Sequence, residues 1–261
     1  MKNIIKSIVY EILHSKMLIR TYLLMLVLQV LIAVLNINNS FGASDTSTLL
    51  ADGGIMVYEF PIFMLALIVG VICGEDYKDK VANYEVLAGH SRKSIYLARS
   101  LFAIITASVL CLILSFTVLI AGLLMEGWGN VLNFGDVVTR YLLLIFPYMR
   151  LAAFLVVITF LIKNHYIMMA IGFMIMMFGV ALADMLKMSN VYISIFNFKL
   201  LTSYESWNIY NTDPVRGIVE YSAYNSSVSP EMIIGTVVAS LAMTAFYLFM
   251  GYALFRRDEL A

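Results

Sequence analysis

Three ionisable side chains lie within long apolar runs. A charge there is costly, and by default it marks a functional site facing the interior of a helical bundle. Glu59 stands about one turn inside the end of its run, just before Pro61. Arg150 sits near the middle of another, shortly after Pro147, and Asp184 is near the end of a third. Arg150 is the most expensive, about 13 Å beyond Tyr141 at 1.5 Å per residue. Two uses fit it. It lines a polar path for an anionic or dipolar cargo, or it pairs structurally with Glu59 or with a carbonyl freed by Pro147. The run holding Asp184 is rich in methionine, including Met174 and Met177. Flexible thioethers suit a surface that accepts varied apolar cargo, and serve equally as packing filler. Glu59, Arg150, Asp184, Met174 and Met177 are the candidates for a substrate path.

Bond-making chemistry has little support. No G-x-x-x-x-G-K-[ST], H-E-x-x-H or G-x-S-x-G occurs. His14, His90 and His165 fall on different elements, with no Asp, Glu or Cys spacing to make a metal site. Cys73 and Cys111 both lie in apolar runs, against a disulfide framework. A membrane enzyme would need paired polar groups at one depth, and Arg150 has no such companions. The chain reads as a non-enzyme that binds no cofactor or metal itself.

These residues must be positioned by helices in a bilayer. The 261 residues are 62% hydrophobic and only 13% charged, with mean hydropathy +0.89; soluble proteins carry about 25% charged residues. A net charge of +0 gives no reason to expect a nucleic-acid partner. Apolar runs cover Tyr22–Ile37, Ile55–Cys73, Leu101–Leu124, Tyr141–Ile162, Tyr166–Leu186 and Met232–Phe255. In lipid each must satisfy its backbone internally, so each is a helix. The expected fold is all-α: a polytopic membrane protein with six transmembrane helices, one domain over 1–261. The first run has no A-x-A-like cleavage site close behind it and is expected to be retained.

Lys and Arg set the orientation. Of 17, twelve fall on the side of the N-terminus, four (Arg140, Lys187, Lys199, Arg216) on the other, and Arg150 within a run. Both termini are expected in the cytoplasm, at the cell membrane. Residues 1–16 form an amphipathic helix: Ile4, Ile8 and Ile12 make one row, Ile5, Val9 and Leu13 the next, with Lys2, Lys6 and Glu11 opposite. Such a helix lies in the interface plane as an elbow, or simply anchors the first span. On the other side, residues 187–231 carry many aromatics around a turn-like NTDPVRG (211–217). They form either an ordered extracellular cap or gate, with Tyr204, Trp207 and Tyr210 as gate candidates, or an aromatic belt on the membrane surface.

The longest polar stretch, GEDYKDKVANYEVLAGHSRKSIYLARS (74–100), links spans two and three in the cytoplasm. As a helix from Glu75 to Ala88, it places Tyr77, Val81, Tyr84 and Ala88 on one face. Glu75 and Asp76 would favour its N-terminus. Gly89 would end it, and Ser91 would cap the continuation into span three. Tyrosines on one stripe suit docking to another protein.

On these residues the chain resembles the ABC-2-type permeases of ATP-binding-cassette exporters. YEILHSK (10–16) is close to the family's E followed by a basic residue before span one. The 74–100 stretch is similar to the family's E-x-x-x-G-T-x-x-x-L-x-x-P-x-S-R-x-x-x-x-x-x-K. Lys80 and Val81 stand in place of G-T, and His90 where a Pro often precedes Ser91 and Arg92. FRRDEL (255–260) looks like the usual ending. The resemblance implies a dimer with a second permease copy, identical or not. It also implies that each copy docks a separate ATPase subunit through Glu75 to Ala88, a coupling helix. ATP and Mg would sit on that partner. Import is disfavoured, because EVLAG (85–89) lacks the importer's E-A-A-x-x-x-G. Short chains with this elbow resemble exporters of small antimicrobial or toxin peptides, such as lantibiotic-immunity and phenol-soluble-modulin transporters. Lipid, drug or polysaccharide export is the alternative within transport; an intramembrane enzyme or a scaffold is the alternative outside it.

Overall fold

The structure is a computed structural model describing residues 2–39, 45–51, 57–78, 87, 89, 91–162, 164–213 and 217–257. The elements run α1 (Lys2–His14), α2 (Lys16–Asn39), α3 (Thr46–Ala51), α4 (Glu59–Lys78), α5 (Arg92–Glu126), α6 (Phe134–Leu143), α7 (Ile145–Ile162) and α8 (His165–Met174). A π-helical turn (Ile175–Gly179) leads to α9 (Val180–Met185) and α10 (Lys199–Thr202). Strands β1 (Glu205–Asp213) and β2 (Gly217–Asn225) precede α11 (Pro230–Arg257). Five helical stretches are long and apolar enough to cross a membrane by length and composition; Glu59–Gly74 is a shorter apolar helix. The chain is a helical, multi-pass membrane protein.

Local chemistry accounts for the breaks. Pro147 lacks the N–H that would bond Leu143, so the helix interrupts at Leu144 and resumes with Tyr148 N–H on Leu144 O at 3.1 Å. Asn133 caps α6 by accepting from Gly135 N, and Asn164 caps α8 by accepting from Tyr166 N, both at 2.9 Å. Ser91 caps α5, as its position predicts, accepting from Ser94 N at 3.2 Å. At 35 residues α5 is about 52 Å long, so it projects well beyond a bilayer core.

α7 is the central helix, packed against α4, α5 and α11. Close approach relies on small residues. A Cβ on Gly172 of α8 would fall 2.4 Å from the Ala66 Cβ of α4, and one on Gly251 of α11 would fall 2.4 Å from the Tyr96 hydroxyl. That hydroxyl donates to Leu248 O at 2.8 Å. Polar stitches are worth more where lipid offers no substitute. The Val57 carbonyl lies just before α4, outside its helical bonds, and Ser115 of α5 supplies it a donor at 3.2 Å. Tyr148 of α7 lies 2.7 Å from the same hydroxyl. Cys111 Sγ donates to Pro61 O at 3.1 Å.

The N-terminal helix divides its apolar rows. Ile4 and Ile8 are buried, and α1 packs on α5, whereas Val9, Tyr10 and Leu13 (65%) are exposed. The helix ends at Ser15, whose hydroxyl accepts from Leu18 N at the start of α2.

Three expectations are corrected. Glu75 and Asp76 do not open a separate helix: they continue α4, which is helical without a break from Glu59 to Lys78. The apolar run and the polar stretch share helical propensity, with no Gly or Pro that breaks the helix between them. The fold is helical as expected but departs from all-α locally in the aromatic segment, where β1 and β2 pair antiparallel from Glu205↔Asn225 to Asp213↔Gly217. The two strands flank the middle of NTDPVRG (211–217). Span four begins at Phe134, so Arg140 is helical rather than a loop residue. Val81, Tyr84 and Ala88 lie outside the described residues; Gly89 has φ +88°, the left-handed backbone that ends helices.

Candidate functional site

The hairpin stands at one end of the bundle, and the candidate site is built beneath it. Arg150 is fully buried (0% exposed) on α7. Its guanidinium donates to the Tyr192 carbonyl at 2.6 Å and to the Asn197 side-chain oxygen. Asn197 in turn donates to Tyr192 O at 3.4 Å. Among the described residues Arg150 therefore binds neither Glu59 nor a carbonyl left by Pro147. Its partners come from the segment between α9 and β1, which folds back between the helices. There Ser189, Ser194, Asn197, Phe198 and Leu201 are buried. The ring of Tyr192 lies against Gly235 of α11, where a Cβ would approach it to 2.9 Å. Phe198 stacks on Tyr58 at 5.5 Å and meets Tyr148 at 5.2 Å.

A second arginine holds the hairpin. Arg140 on α6 donates through Nε to Ser226 O (3.1 Å) and through its two terminal nitrogens to Ser203 O and Ser227 O (3.0 Å each). Ser203 precedes β1, and Ser226 and Ser227 follow β2, so one planar fork grips both feet of the hairpin. The guanidinium carbon also sits 5.0 Å from the Tyr204 ring centroid. Burial pushes the Tyr204 phenol up to about 12, with Arg140 pulling it back. Arg140 was legible only as a positive charge. Its partners are backbone carbonyls, which no residue type announces.

Glu59 opens α4, its carboxylate accepting from Tyr58 N at 3.2 Å. Asp184 at the end of α9 forms an ion pair with Lys199 of α10. Glu59, Lys199 and Tyr204 line one cavity of about 440 Å³, with Val57, Tyr58 and Tyr141 among others. A neighbouring cavity of about 390 Å³ lies between Arg140, Tyr204, Glu205 and Met232. Tyr204 lines both. The structure thus brings together Glu59, Tyr204 and, through Lys199, Asp184, three residues singled out on separate elements.

Other candidates lie apart. Met174 and Met177 are 54% and 51% exposed, on the outer face of α8 and the π turn rather than inside the protomer. Trp207 is exposed on β1, and Tyr210 is on the same strand with its side chain outside the described residues. Glu75, Asp76 and Tyr77 occupy the far end of α4, with side chains also outside them. Among the described residues no three His, Cys, Asp or Glu gather as a metal site. No protein-family model matches the chain, and no curated protein matches it.

Proposed function

We propose that this chain is the membrane-spanning subunit of an ATP-binding-cassette exporter of the ABC-2 type. It moves an amphipathic or hydrophobic substrate outward, with a small toxin or antimicrobial peptide as the leading cargo class. The observation that carries the reading is the path of the chain. A helix with one apolar row on the bundle and one exposed row precedes six apolar helical segments, and the fifth and sixth are joined by a segment folded back between the spans. An interfacial elbow, six spans and an inward-folded closure at one mouth suit a permease that opens and closes around cargo. The distribution of Lys and Arg supports both termini in the cytoplasm and the hairpin outside.

ATP hydrolysis belongs to a separate subunit, docked on the polar link between spans two and three, with Glu75, Asp76, Tyr77, Val81, Tyr84 and Ala88 as the contact residues. A second permease copy completes the pathway, and the exposed apolar faces of α2, α8 and α11 are available for it and for lipid. The test is purification of the tagged chain from its own host's membranes in mild detergent. A roughly stoichiometric cassette ATPase accompanying it supports the reading. A chain that emerges alone under several gentle conditions contradicts it and favours an enzyme or a scaffold.

A further inference from the structure

The cavity of about 440 Å³ beneath the hairpin contains more polar chemistry than the fold requires. Tyr141 lines it, is 1% exposed, and its hydroxyl has no hydrogen-bond partner among the described residues; the buried Tyr204 hydroxyl has none either. Buried phenols ordinarily find partners, so two orphans at one cavity mark a place where a ligand would complete the set. The charge around it is unbalanced. Lys199 is paired with Asp184 and acts on Glu59 only at longer range, so the Glu59 carboxylate is the carboxylate on the lining without an ion pair among the described residues. Arg140, beside the Tyr204 ring, is committed to three backbone carbonyls and does not line this cavity.

We propose that this cavity binds a primary alkylammonium group. Such a group carries three N–H donors and no acceptor. The Glu59 carboxylate and the hydroxyl oxygens of Tyr141 and Tyr204 present three acceptors. Tyr58 and Tyr141 supply aromatic walls, which attract a cation. Leu50, Ala51 and Val57 line the same space and take the alkyl stem. An anion fits poorly, since it would face Glu59 while Lys199, the one lining ammonium among the described residues, is already paired. As a binding site the proposal stands alone. As a cargo-recognition site, selecting lysine side chains or amino termini of a peptide, it rests on the export reading.

The test uses the full chain in lipid nanodiscs without any ATPase, so its outcome is independent of whether the chain is an exporter. Binding of n-octylammonium and n-octanol is measured by calorimetry. Octylammonium is expected to bind saturably and at least about tenfold tighter than octanol, and Glu59→Gln to abolish that difference. Comparing discs with and without phosphatidylethanolamine identifies the source of the ammonium. Weaker octylammonium binding with that lipid assigns the site to a headgroup, and unchanged binding assigns it to a soluble ligand. Equal affinity for the two probes on the unmodified chain overturns the proposal, whatever the variant's folding. So does a difference that survives Glu59→Gln.

Discussion

Arg150 and Arg140, on consecutive helices, hold the two parts of one excursion: Arg150 binds Tyr192 and Asn197 where the chain folds inward, and Arg140 binds Ser203, Ser226 and Ser227 where the hairpin leaves and returns. The break at Leu144 separates the two helices that carry them. Whatever tilts α6 against α7 must therefore also move the hairpin relative to the inward-folded segment. That linkage makes the excursion a mechanical part of the bundle rather than a decoration on it.

The Arg140 fork is the first place to test this. Arg140→Lys keeps the charge but cannot reach three carbonyls in one plane. Hydrogen exchange of amides in β1 and β2 should accelerate about tenfold or more, because an isolated two-stranded hairpin is marginal in water. Exchange unchanged in the variant would mean that the hairpin is held by something else.

Arg150 and Asn197 should behave as one unit. Arg150→Met leaves the Asn197 side-chain oxygen buried without its donor and the Tyr192 carbonyl with only the 3.4 Å bond from Asn197, and is expected to destabilise the chain by about 3 kcal/mol. Asn197→Leu combined with it should cost less than the sum of the two, by about 1 kcal/mol or more. Thermal unfolding of the four proteins in one detergent decides it, and strict additivity would deny the contact.

Ser115 of α5 serves the Val57 carbonyl, which lies just before α4. Ser115→Ala should cost about 1–2 kcal/mol, since that carbonyl loses the hydroxyl that donates to it. Thermal unfolding in detergent measures it, and a variant as stable as the unmodified chain would reject the contact.

Tyr204 predicts an alkaline limit. Its folded pKa of about 12 lies above the unfolded value near 10, so the neutral phenol contributes stability fully below about pH 10. That contribution fades as pH rises from about 10 towards 12. Tyr204→Phe removes an unpartnered buried hydroxyl, so it should leave stability at pH 7 equal or higher and flatten the alkaline decline. Parallel decline of both proteins between pH 9 and 11 would show that Tyr204 titrates freely.

Apolar runs located the spans because lipid demands continuous hydrophobic helices, and Ser91 was legible as a cap because its chemistry is local. The rows of α1 were legible too, although not which row faces the bundle. What was hidden depends on contacts distant in sequence. Arg150 announced a cost but not its partners, which are a carbonyl and an amide folded back from another segment. Arg140 was counted only as charge. The strands ESWNIYNTD and GIVEYSAYN carry β-branched and aromatic residues on either side of a turn signal, a hairpin pattern behind the reading of either an ordered cap or gate or an aromatic belt. The π turn at Ile175–Gly179 left no mark in composition, since its residues, IMMFG, are as apolar as the helix before it.

The most direct measurement of the central claim is thiol crosslinking in the host's own membranes. Cys73 and Cys111 are both buried, so Tyr84→Cys offers a water-soluble bifunctional reagent one accessible thiol among the described and introduced positions. The account predicts an adduct of this 29.3 kDa chain with a cassette ATPase, diminished when Tyr77→Ala is added. Cysteines placed one by one along 75–89 that label readily with a small reagent yet give no ATPase adduct would contradict it.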